Sequence, residues 1–172
     1  MIVQKEINTY KVSWLNHCEG GKIREFYVPE TKDELIDLIR SFQVRKVSYI
    51  VVGHTSNIYF SPNFSCDICI TTRKVKNCNL FDNYVVCDCG VTVSSFSSAM
   101  VDKGYVGFEG LIDLPGTVAG AVYGNSSCFA CSINDLVEEV EILDDDGVIK
   151  YISREELGMS ERSTVFKRGR GG

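Results

Sequence analysis

Residues 53–58 have the composition of a phosphate-binding turn. They follow an apolar run at residues 47–52 and are, in order, Gly53, His54, Thr55, Ser56, Asn57 and Ile58. A strand that runs into such a turn exposes several backbone N–H groups and side-chain donors together, which suits an anion. The Gly-Lys-Ser/Thr of a P-loop and the GxGxxG of a dinucleotide fingerprint are both missing from these residues. The segment alone therefore leaves two interpretations open, a phosphate-binding loop and an ordinary polar turn.

A second segment, residues 104–125, contains six of the 15 glycines of the chain. Pro115 fits the first turn of a helix. The glycines at positions 116, 120 and 124 then recur every four residues and leave one helix face without side chains. Something must approach this face closely. It is either a neighbouring element of the protein or an anionic ligand at the helix N-terminus, where free N–H groups and the helix dipole favour negative charge.

Cysteines form a third set with chemical potential. The eight are Cys18, Cys66, Cys69, Cys78, Cys87, Cys89, Cys128 and Cys131. Two CxxC pairs, at residues 66–69 and 128–131, could together supply the four ligands of a zinc site. Neither pair has the flanking Gly and Lys/Arg residues of a zinc knuckle. We therefore interpret the cysteines as buried free thiols, which behave as small hydrophobic residues, and predict no metal site. Zinc binding and redox chemistry remain the alternatives.

Strands must position these segments. Apolar, β-branched and aromatic runs bounded by turn residues predict strands. They lie at residues 24–29, 47–52, 66–72, 84–89, 137–143 and 148–152. The Asp-Gly at 146–147 tolerates the positive φ of a tight hairpin between the last two.

Helices are predicted between these strands. Two capping boxes, in which a hydroxyl residue and a Glu satisfy each other's backbone N–H groups, predict helix starts; they are Thr31 with Glu34 and Ser153 with Glu156. Apolar residues at helical spacing extend the first helix over residues 32–42. Ser94 or Ser95 can cap another helix, for which Gly104 is the C-terminal stop. Strands with interspersed helices indicate an α+β fold.

Charge and hydropathy exclude several classes of function. Lys and Arg number 18 against 23 Asp and Glu, a net charge of −5, and no run of five like charges could serve as a basic arm for nucleic acid. No uninterrupted apolar run approaches the ~18 residues of a membrane span, and residues 1–10 have no apolar core of a signal peptide. We expect a soluble cytoplasmic protein without a nucleic-acid or membrane partner.

Together, the two glycine-containing segments resemble the UDP-N-acetylenolpyruvylglucosamine reductase family of peptidoglycan synthesis. The family's Gly-x-Gly-Ser-Asn-x-Leu loop corresponds to residues 53–59. Its Gly-Leu-Glu-x-Leu-x-x-Ile-Pro-Gly-Thr-Val-Gly-Gly-Ala stretch corresponds to residues 107–121. The Asn that follows corresponds to Asn125, and the family's Arg-x-Ser-x-Phe-Lys segment corresponds to residues 162–167. The resemblance covers most of the chain in order.

The resemblance implies a two-lobed FAD-binding module of the vanillyl-alcohol-oxidase (PCMH) type, with FAD bound noncovalently between the lobes. The implied cofactor-binding residues are Gly53, His54, Thr55, Ser56, Asn57, Ile58, Pro115, Gly116, Thr117, Val118, Gly120, Ala121 and Asn125. In the family NADPH reduces the flavin, which passes hydride to the enolpyruvyl group of the nucleotide sugar UDP-N-acetylglucosamine enolpyruvate. Arg162 corresponds to the Arg that stabilises the resulting enolate, a role that suits a permanently charged, bidentate donor.

The sequence departs from the family pattern at several of these positions. Thr55 and Ala119 each replace a glycine, adding a Cβ where backbone and cofactor lie close. Residues 125–130 lack two further glycines of the family. Glu161 replaces the Tyr that precedes the family's Arg, and its carboxylate could neutralise the charge of Arg162.

The resemblance ends before the family's C-terminal substrate domain, which supplies a Ser general acid. We therefore expect a first FAD-binding lobe at residues 1–61, a second at 62–167 and a short Gly/Arg tail at 168–172. We also expect a shortened reductase that is not competent alone. The alternatives are a non-catalytic FAD-binding or interaction protein with the same fold, and a zinc-stabilised structural domain.

Overall fold

The computed structural model describes residues 1–9 and 20–169. His17, Cys18 and residues 170–172, the end of the predicted tail, lie outside the described residues. The chain divides into two compact units, Met1–Val91 and Thr92–Gly172.

A four-stranded mixed sheet forms the centre of the first unit. Its strands are β1 (Ile2–Asn8), β2 (Lys22–Val28), β3 (Ile50–Val52) and β4 (Ser65–Thr71), in the order β1-β2-β4-β3. β1 runs antiparallel to β2, whereas β4 lies parallel to both β2 and β3. The expected lobe boundary between residues 61 and 62 differs from the observed division, because β4 follows that boundary and pairs with two strands that precede it.

One helix covers a face of this sheet. α1 (Lys32–Val44) extends two residues beyond the predicted 32–42, and its buried Leu38 and Phe42 pack with Ile68 and Ile70 of β4. Residues alternate between the two faces of a strand, so the neighbouring side chains of β4 belong to a second cluster on the opposite face. That cluster contains Ile23, Phe26, Val28, Val52, Phe60 and Cys69.

Half of the capping box predicted for α1 is present. Glu34 N donates to Thr31 Oγ1 at 3.2 Å, as expected for an N-cap. The Glu34 carboxylate accepts from Glu30 N at 2.9 Å, one residue earlier than the capping-box pattern requires. With 13 residues, α1 is the longest helix in the described part of the chain, and none there is long and apolar enough to cross a membrane.

A short antiparallel hairpin, β5 (Cys78–Leu80) and β6 (Val85–Cys87), completes the first unit. The chain returns from it past the end of β4, where Gly90 is required by close packing. A Cβ at Gly90 would lie 1.9 Å from the carbonyl oxygen of Thr72 and 2.6 Å from that of Val75.

The second unit consists of short helices and hairpins around its own core. Its helices and strands are α2 (Val93–Asp102), α3 (Val118–Gly124), β7 (Ser127–Cys128), β8 (Cys131–Ser132), β9 (Glu139–Leu143), β10 (Ile149–Ser153), α4 (Arg154–Leu157) and α5 (Val165–Arg168). Two single-turn 3₁₀ helices occupy Glu109–Leu111 and Ile133–Asp135. The buried core residues are Val93, Leu111, Ala121, Val122 and Ile133.

Helix boundaries in this unit confirm one capping prediction and correct another. Both bonds of the Ser153–Glu156 capping box are present at the start of α4. At α2 the N-cap is Thr92, whose hydroxyl accepts from Ser95 N at 3.3 Å, so the prediction of Ser94 or Ser95 as the cap was wrong. Three hydroxyl residues within four positions, Thr92, Ser94 and Ser95, can each cap a helix, and only the backbone path selects one. Gly104 follows the helix end with φ of +84°, as expected for a C-terminal stop.

Candidate functional site

The loop at residues 53–58 lies at the carboxyl end of β3. Val52 pairs in parallel with Thr71, and Thr72 N donates to Val52 O at 2.9 Å. Thr71 Oγ1 donates to Gly53 O at 3.4 Å, which ties the loop to the end of β4. Ligands of parallel sheets bind beyond the carboxyl ends of the strands, so the phosphate-binding interpretation has the expected placement.

The loop itself is a tight turn with one unfavourable residue. Ile58 N donates to Thr55 O at 3.2 Å, and Ser56 with the exposed Asn57 forms the tip. Thr55 is buried and has φ of +54°, a left-handed conformation that costs a non-glycine residue about 1–2 kcal/mol. The backbone thus accounts for the family's glycine at this position.

His54 and Arg73 place one neutral and one charged donor group near this loop. Burial, and to a lesser extent the charge of Arg73, lowers the pKa of His54 below its ordinary 6.5. His54 is therefore neutral at pH 7, and Arg73 provides the positive charge. Arg73 N also donates to Thr71 Oγ1 at 3.4 Å. Thr71 and Arg73 were not predicted as site residues. The signal was their position at the carboxyl end of the predicted strand 66–72, where Thr71 ends β4 and Arg73 follows it, once that strand is known to pair beside residues 47–52.

The second segment, residues 115–121, forms a turn and a helix start. α3 begins at Val118 with Thr117 as N-cap, whose hydroxyl accepts from Gly120 N at 3.3 Å. Pro115 and Gly116 precede the helix, so the prediction of Pro115 in its first turn was wrong. Gly116 has φ of +119°, a conformation that ends the preceding turn and excludes it from the helix face.

The remaining glycines of this region differ in what surrounds them. A Cβ at Gly110 would lie 2.7 Å from both Cys128 O and Cys131 Sγ, so here the close neighbour is the β7–β8 hairpin. A Cβ at Gly120 would meet only Thr117 Oγ1 at 3.3 Å, and one at Gly124 only Ser126 Oγ at 3.9 Å. Among the described residues, no neighbouring element fills the glycine face of α3.

The N-termini of α2 and α3 lie side by side. Their two N-cap residues, Thr92 and Thr117, form an antiparallel bridge, and Val93 N donates to Gly116 O at 3.1 Å. This contact fixes the turn at residues 115–117 against α2. Of two other predicted site residues, Ala121 is buried in the core and Val118 packs against it while only partly buried, so Ala121 could offer a ligand chiefly its backbone atoms.

Asn125 has a structural role at the end of α3. It is the C-cap with φ of +44° and is buried. Its Nδ2 donates to Ser160 O at 2.7 Å, and its Oδ1 accepts from Ser132 Oγ at 3.2 Å. The amide joins α3 to two other segments of the second unit, and the cofactor contact that the resemblance implied for Asn125 stays a prediction.

Arg162 lies at the tip of the turn that Asn125 holds. Ser160 and Ser163 exchange two backbone hydrogen bonds of 3.0 Å, which leaves Glu161 and Arg162 as the exposed central residues. Arg162 has φ of +55°, and its Nη2 donates to Ser127 O at 3.4 Å. α3 is seven residues long, about 10 Å. Arg162 is therefore tied to the opposite end of that helix from the Thr117 cap.

The seven cysteines within the described residues are free thiols, of which Cys69 is fully buried. Burial raises the pKa of Cys66 to about 11, that of Cys87 to about 12 and that of Cys89 to about 11. These thiols are therefore protonated at neutral pH and are poor metal ligands in this state. No cluster of three or more potential metal ligands occurs within residues 1–9 and 20–169.

A surface cleft of about 510 Å³ in the first unit lies away from the loop at 53–58. Its lining includes Lys22, Arg24, Tyr49, Ser65 and Asp67. These residues belong to the amino-terminal ends of β2, β3 and β4 or precede them, at the opposite end of the parallel strands. A cleft at that end does not correspond to the usual ligand position of a parallel sheet.

The sequence of residues 24–153 matches the protein family described as "FAD binding domain". A UDP-N-acetylenolpyruvoylglucosamine reductase from Caldicellulosiruptor saccharolyticus is 30% identical over 163 residues, which cover 95% of this chain and 50% of the relative. The enzyme of the same name from Fusobacterium nucleatum is 30% identical over 90% of this chain and 55% of its own length. The chain spans about half the length of the curated relatives it matches.

A solved structure of the same kind of enzyme is also similar to this chain. The crystal structure of UDP-N-acetylenolpyruvylglucosamine reductase from Thermus caldophilus superposes with a TM-score of 0.69 at 25% identity, covering 87% of this chain and 53% of that one. Alkyldihydroxyacetonephosphate synthase superposes with a TM-score of 0.57 at 16% identity, over 77% of this chain and 27% of that one. The second likeness is one of fold alone.

Proposed function

Since this chain belongs to the FAD-binding domain family and has an α+β fold of the vanillyl-alcohol-oxidase type, we propose that it binds FAD noncovalently. The observation that carries the proposal is the family match over residues 24–153. We propose that residues 53–58 and residues 115–121 both contact the cofactor.

The local structure of each segment fits this role. The first follows the carboxyl end of a parallel strand and presents Ser56 and Asn57 at its tip. The second carries Gly120, around which only the side chain of its own N-cap residue comes within 4 Å of an added Cβ. A bulky, polar cofactor needs such a combination of donors and open backbone. His54, neutral at pH 7, can donate or accept a hydrogen bond there, while Arg73 can offset negative charge.

We further propose that the protein reduces the enolpyruvyl group of UDP-N-acetylglucosamine enolpyruvate with NADPH, in the cytoplasm, as a step of peptidoglycan synthesis. The support is the name shared by the curated relatives, which this chain matches over about half their length. FAD, when bound, would supply hydride transfer to the substrate. Arg162 is exposed on a tight turn, and its guanidinium donates a long hydrogen bond of 3.4 Å to Ser127 O. A contact of that length can be exchanged for one to a carboxylate or enolate oxygen.

Equilibrium dialysis of the purified chain against FAD, FMN and riboflavin tests the binding proposal. We expect saturable binding of FAD in the micromolar range and much weaker binding of FMN, because FMN lacks the pyrophosphate and adenosine that a phosphate-binding loop would hold. Denaturation should release all bound flavin, since the binding is noncovalent. Equal affinity for all three flavins, or no binding, would contradict the proposal.

NADPH oxidation tests the reductase step. The chain would be extended with the C-terminal half of the Caldicellulosiruptor saccharolyticus relative and assayed with the enolpyruvyl nucleotide sugar. We expect Arg162→Ala to lower kcat about 10²–10³-fold, the usual cost of removing one oxyanion donor, with FAD affinity unchanged. A flavin-loaded extended protein without activity would favour the alternative, a non-catalytic FAD-binding protein.

A further inference from the structure

The β5–β6 hairpin brings together two cysteines that no sequence motif links. Cys78 and Cys87 are register partners on the two antiparallel strands. Next to them, Asp88 N donates to Asn77 O at 2.8 Å. Hydrogen-bonded and non-hydrogen-bonded pairs alternate along an antiparallel ladder. The Cys78–Cys87 pair, one step from the bonded Asn77–Asp88 pair, is therefore a non-hydrogen-bonded one.

The loop end of the hairpin also indicates that Cys78 and Cys87 form a non-hydrogen-bonded pair. Phe81 N donates to Tyr84 O at 2.9 Å, so the pair that closes the loop is hydrogen-bonded. Three steps along the ladder lead from this pair to Cys78 and Cys87, and an odd number of steps changes the type of pair. Both hydrogen bonds thus assign the cysteines to the position at which facing side chains approach most closely.

This position has the geometry that a disulfide requires. Partners in non-hydrogen-bonded pairs have Cα atoms about 4.5 Å apart, and bridged cysteines have Cα atoms about 4.4–6.8 Å apart. The two thiols are close enough that Cys78 contributes to raising the pKa of Cys87. Cys78 is exposed and Cys87 is half-buried, so a reagent in solution reaches Cys78 more readily than Cys87.

We propose that Cys78 and Cys87 form a redox-active dithiol site that low-molecular-weight disulfides convert into a cross-strand disulfide. Burial and the charge of Asp88 raise the pKa of Cys78, so its thiol must first lose a proton to solvent. The thiolate then attacks one sulfur of the small disulfide and forms a mixed disulfide, while the original S–S bond breaks and releases one small thiolate. The Cys87 thiol then loses its proton to solvent and attacks Cys78 Sγ, displacing the second small thiolate. Two protein thiols are oxidised to a disulfide, and the two small thiolates released take up the two protons that the protein loses, so the small disulfide is reduced to two thiols.

Cys89 is the other cysteine of this segment that could form a disulfide with Cys78, but its thiol is held away from the hairpin ladder. It lies beyond the end of β6, and its thiol forms a hydrogen bond with Thr72, at the base of the hairpin beside β4. The fold therefore selects Cys87 as the partner of Cys78. In an unfolded chain, Cys78, Cys87 and Cys89 would have no such preference.

Peptide mapping of the full chain after incubation with oxidised glutathione tests the proposal. Cleavage after Lys and Arg and before Asp yields residues 77–81 with Cys78, residues 82–87 with Cys87 and residues 88–101 with Cys89. Each possible pairing therefore gives a different linked peptide. We expect the 77–81/82–87 product to exceed the 77–81/88–101 product by about tenfold or more, because the folded hairpin raises the effective concentration of Cys87 at Cys78.

Three controls make the result decisive. Cys89→Ser should leave the product intact, Cys87→Ser should leave a persistent glutathione adduct on Cys78, and urea should reduce the tenfold preference to near equality. A stable glutathione adduct on Cys78 in the wild-type chain would overturn the proposal. Equal amounts of the two linked products in the folded protein would also overturn it.

Discussion

The side-chain amide of Asn125 donates a 2.7 Å hydrogen bond from Nδ2 to the carbonyl oxygen of Ser160. Asn125 is the residue that ends α3, and Ser160 begins the turn that carries Arg162. A second bond supports the same junction, because Thr164 Oγ1 donates to Tyr123 O at 2.8 Å. The position of Arg162 in the second unit therefore depends on how α3 ends.

Asn125→Ala is expected to destabilise the protein by about 2–4 kcal/mol. Loss of the amide removes two hydrogen bonds, each worth about 0.5–1.5 kcal/mol, although Ser160 O keeps its bond from Ser163 N and Ser132 Oγ keeps its bond from Asn134 N. Ala at positive φ costs about 1 kcal/mol more. Asn125→Gly is the control, because it loses the same hydrogen bonds without the backbone strain. Urea unfolding followed by circular dichroism should rank wild type above Gly and Gly above Ala. Equal stability of Ala and wild type would contradict the structural role of Asn125.

Ser97→Ala is expected to stabilise the protein or leave its stability unchanged. Ser97 is fully buried in α2, and its Oγ has no hydrogen-bond partner among the described residues. A buried unsatisfied hydroxyl costs about 1–3 kcal/mol, and Ala also has the higher helix propensity. The neighbouring Ser98→Ala is the matched control, since it is only half-buried and gains from propensity alone. Urea midpoints should rise more for Ser97→Ala; a loss of stability there would show that the hydroxyl is satisfied.

His54 should titrate below pH 6.5. Its folded-state pKa is lowered by burial and by Arg73, so between that pKa and about 6.5 the unfolded state binds more protons than the folded state. Stability must then rise with pH through this window and level off above it. Arg73→Gln should raise the pKa of His54 but leave it below 6.5, because burial is the larger cause. An NMR titration resolves the two histidines of the chain once His17→Gln assigns them, and a value of 6.5 or higher would contradict the structure.

Local sequence patterns predicted the local structure well. The helix after Thr31, the capping box of Ser153 and Glu156, and the stop at Gly104 depend on side chains within a few residues of the backbone groups they satisfy. Where several residues could serve, as Thr92, Ser94 and Ser95 could for α2, the pattern was ambiguous.

Long-range pairing was the part that the sequence could not supply. That β4 lies between β2 and β3 follows from contacts across the chain, and this pairing moves the boundary of the first unit beyond residue 61. For the same reason the partnership of Cys78 with Cys87 was hidden, because ladder register decides it rather than a CxxC spacing. Thr55 was identified as a departure from a glycine, but its cost became clear only from its positive φ.

FAD is proposed to lie against Gly120 in the first turn of α3, and one pair of variants tests that claim most directly. Gly120→Val adds a side chain to the first turn of the helix, whereas Gly124→Val adds the same side chain to its last residue, where an added Cβ meets only Ser126 Oγ at 3.9 Å. Because Val and Gly differ little in helix propensity, both variants should unfold within about 1 kcal/mol of the wild type.

The measurement is the Kd for FAD by equilibrium dialysis, on variants that urea unfolding has shown to be folded. Forcing a branched side chain into a close contact costs about 1–3 kcal/mol, so Gly120→Val should raise the Kd about 5- to 150-fold. Gly124→Val should leave it nearly unchanged. A folded Gly120→Val protein that binds FAD as tightly as the wild type would contradict the proposal, because the cofactor would then not contact the first turn of α3.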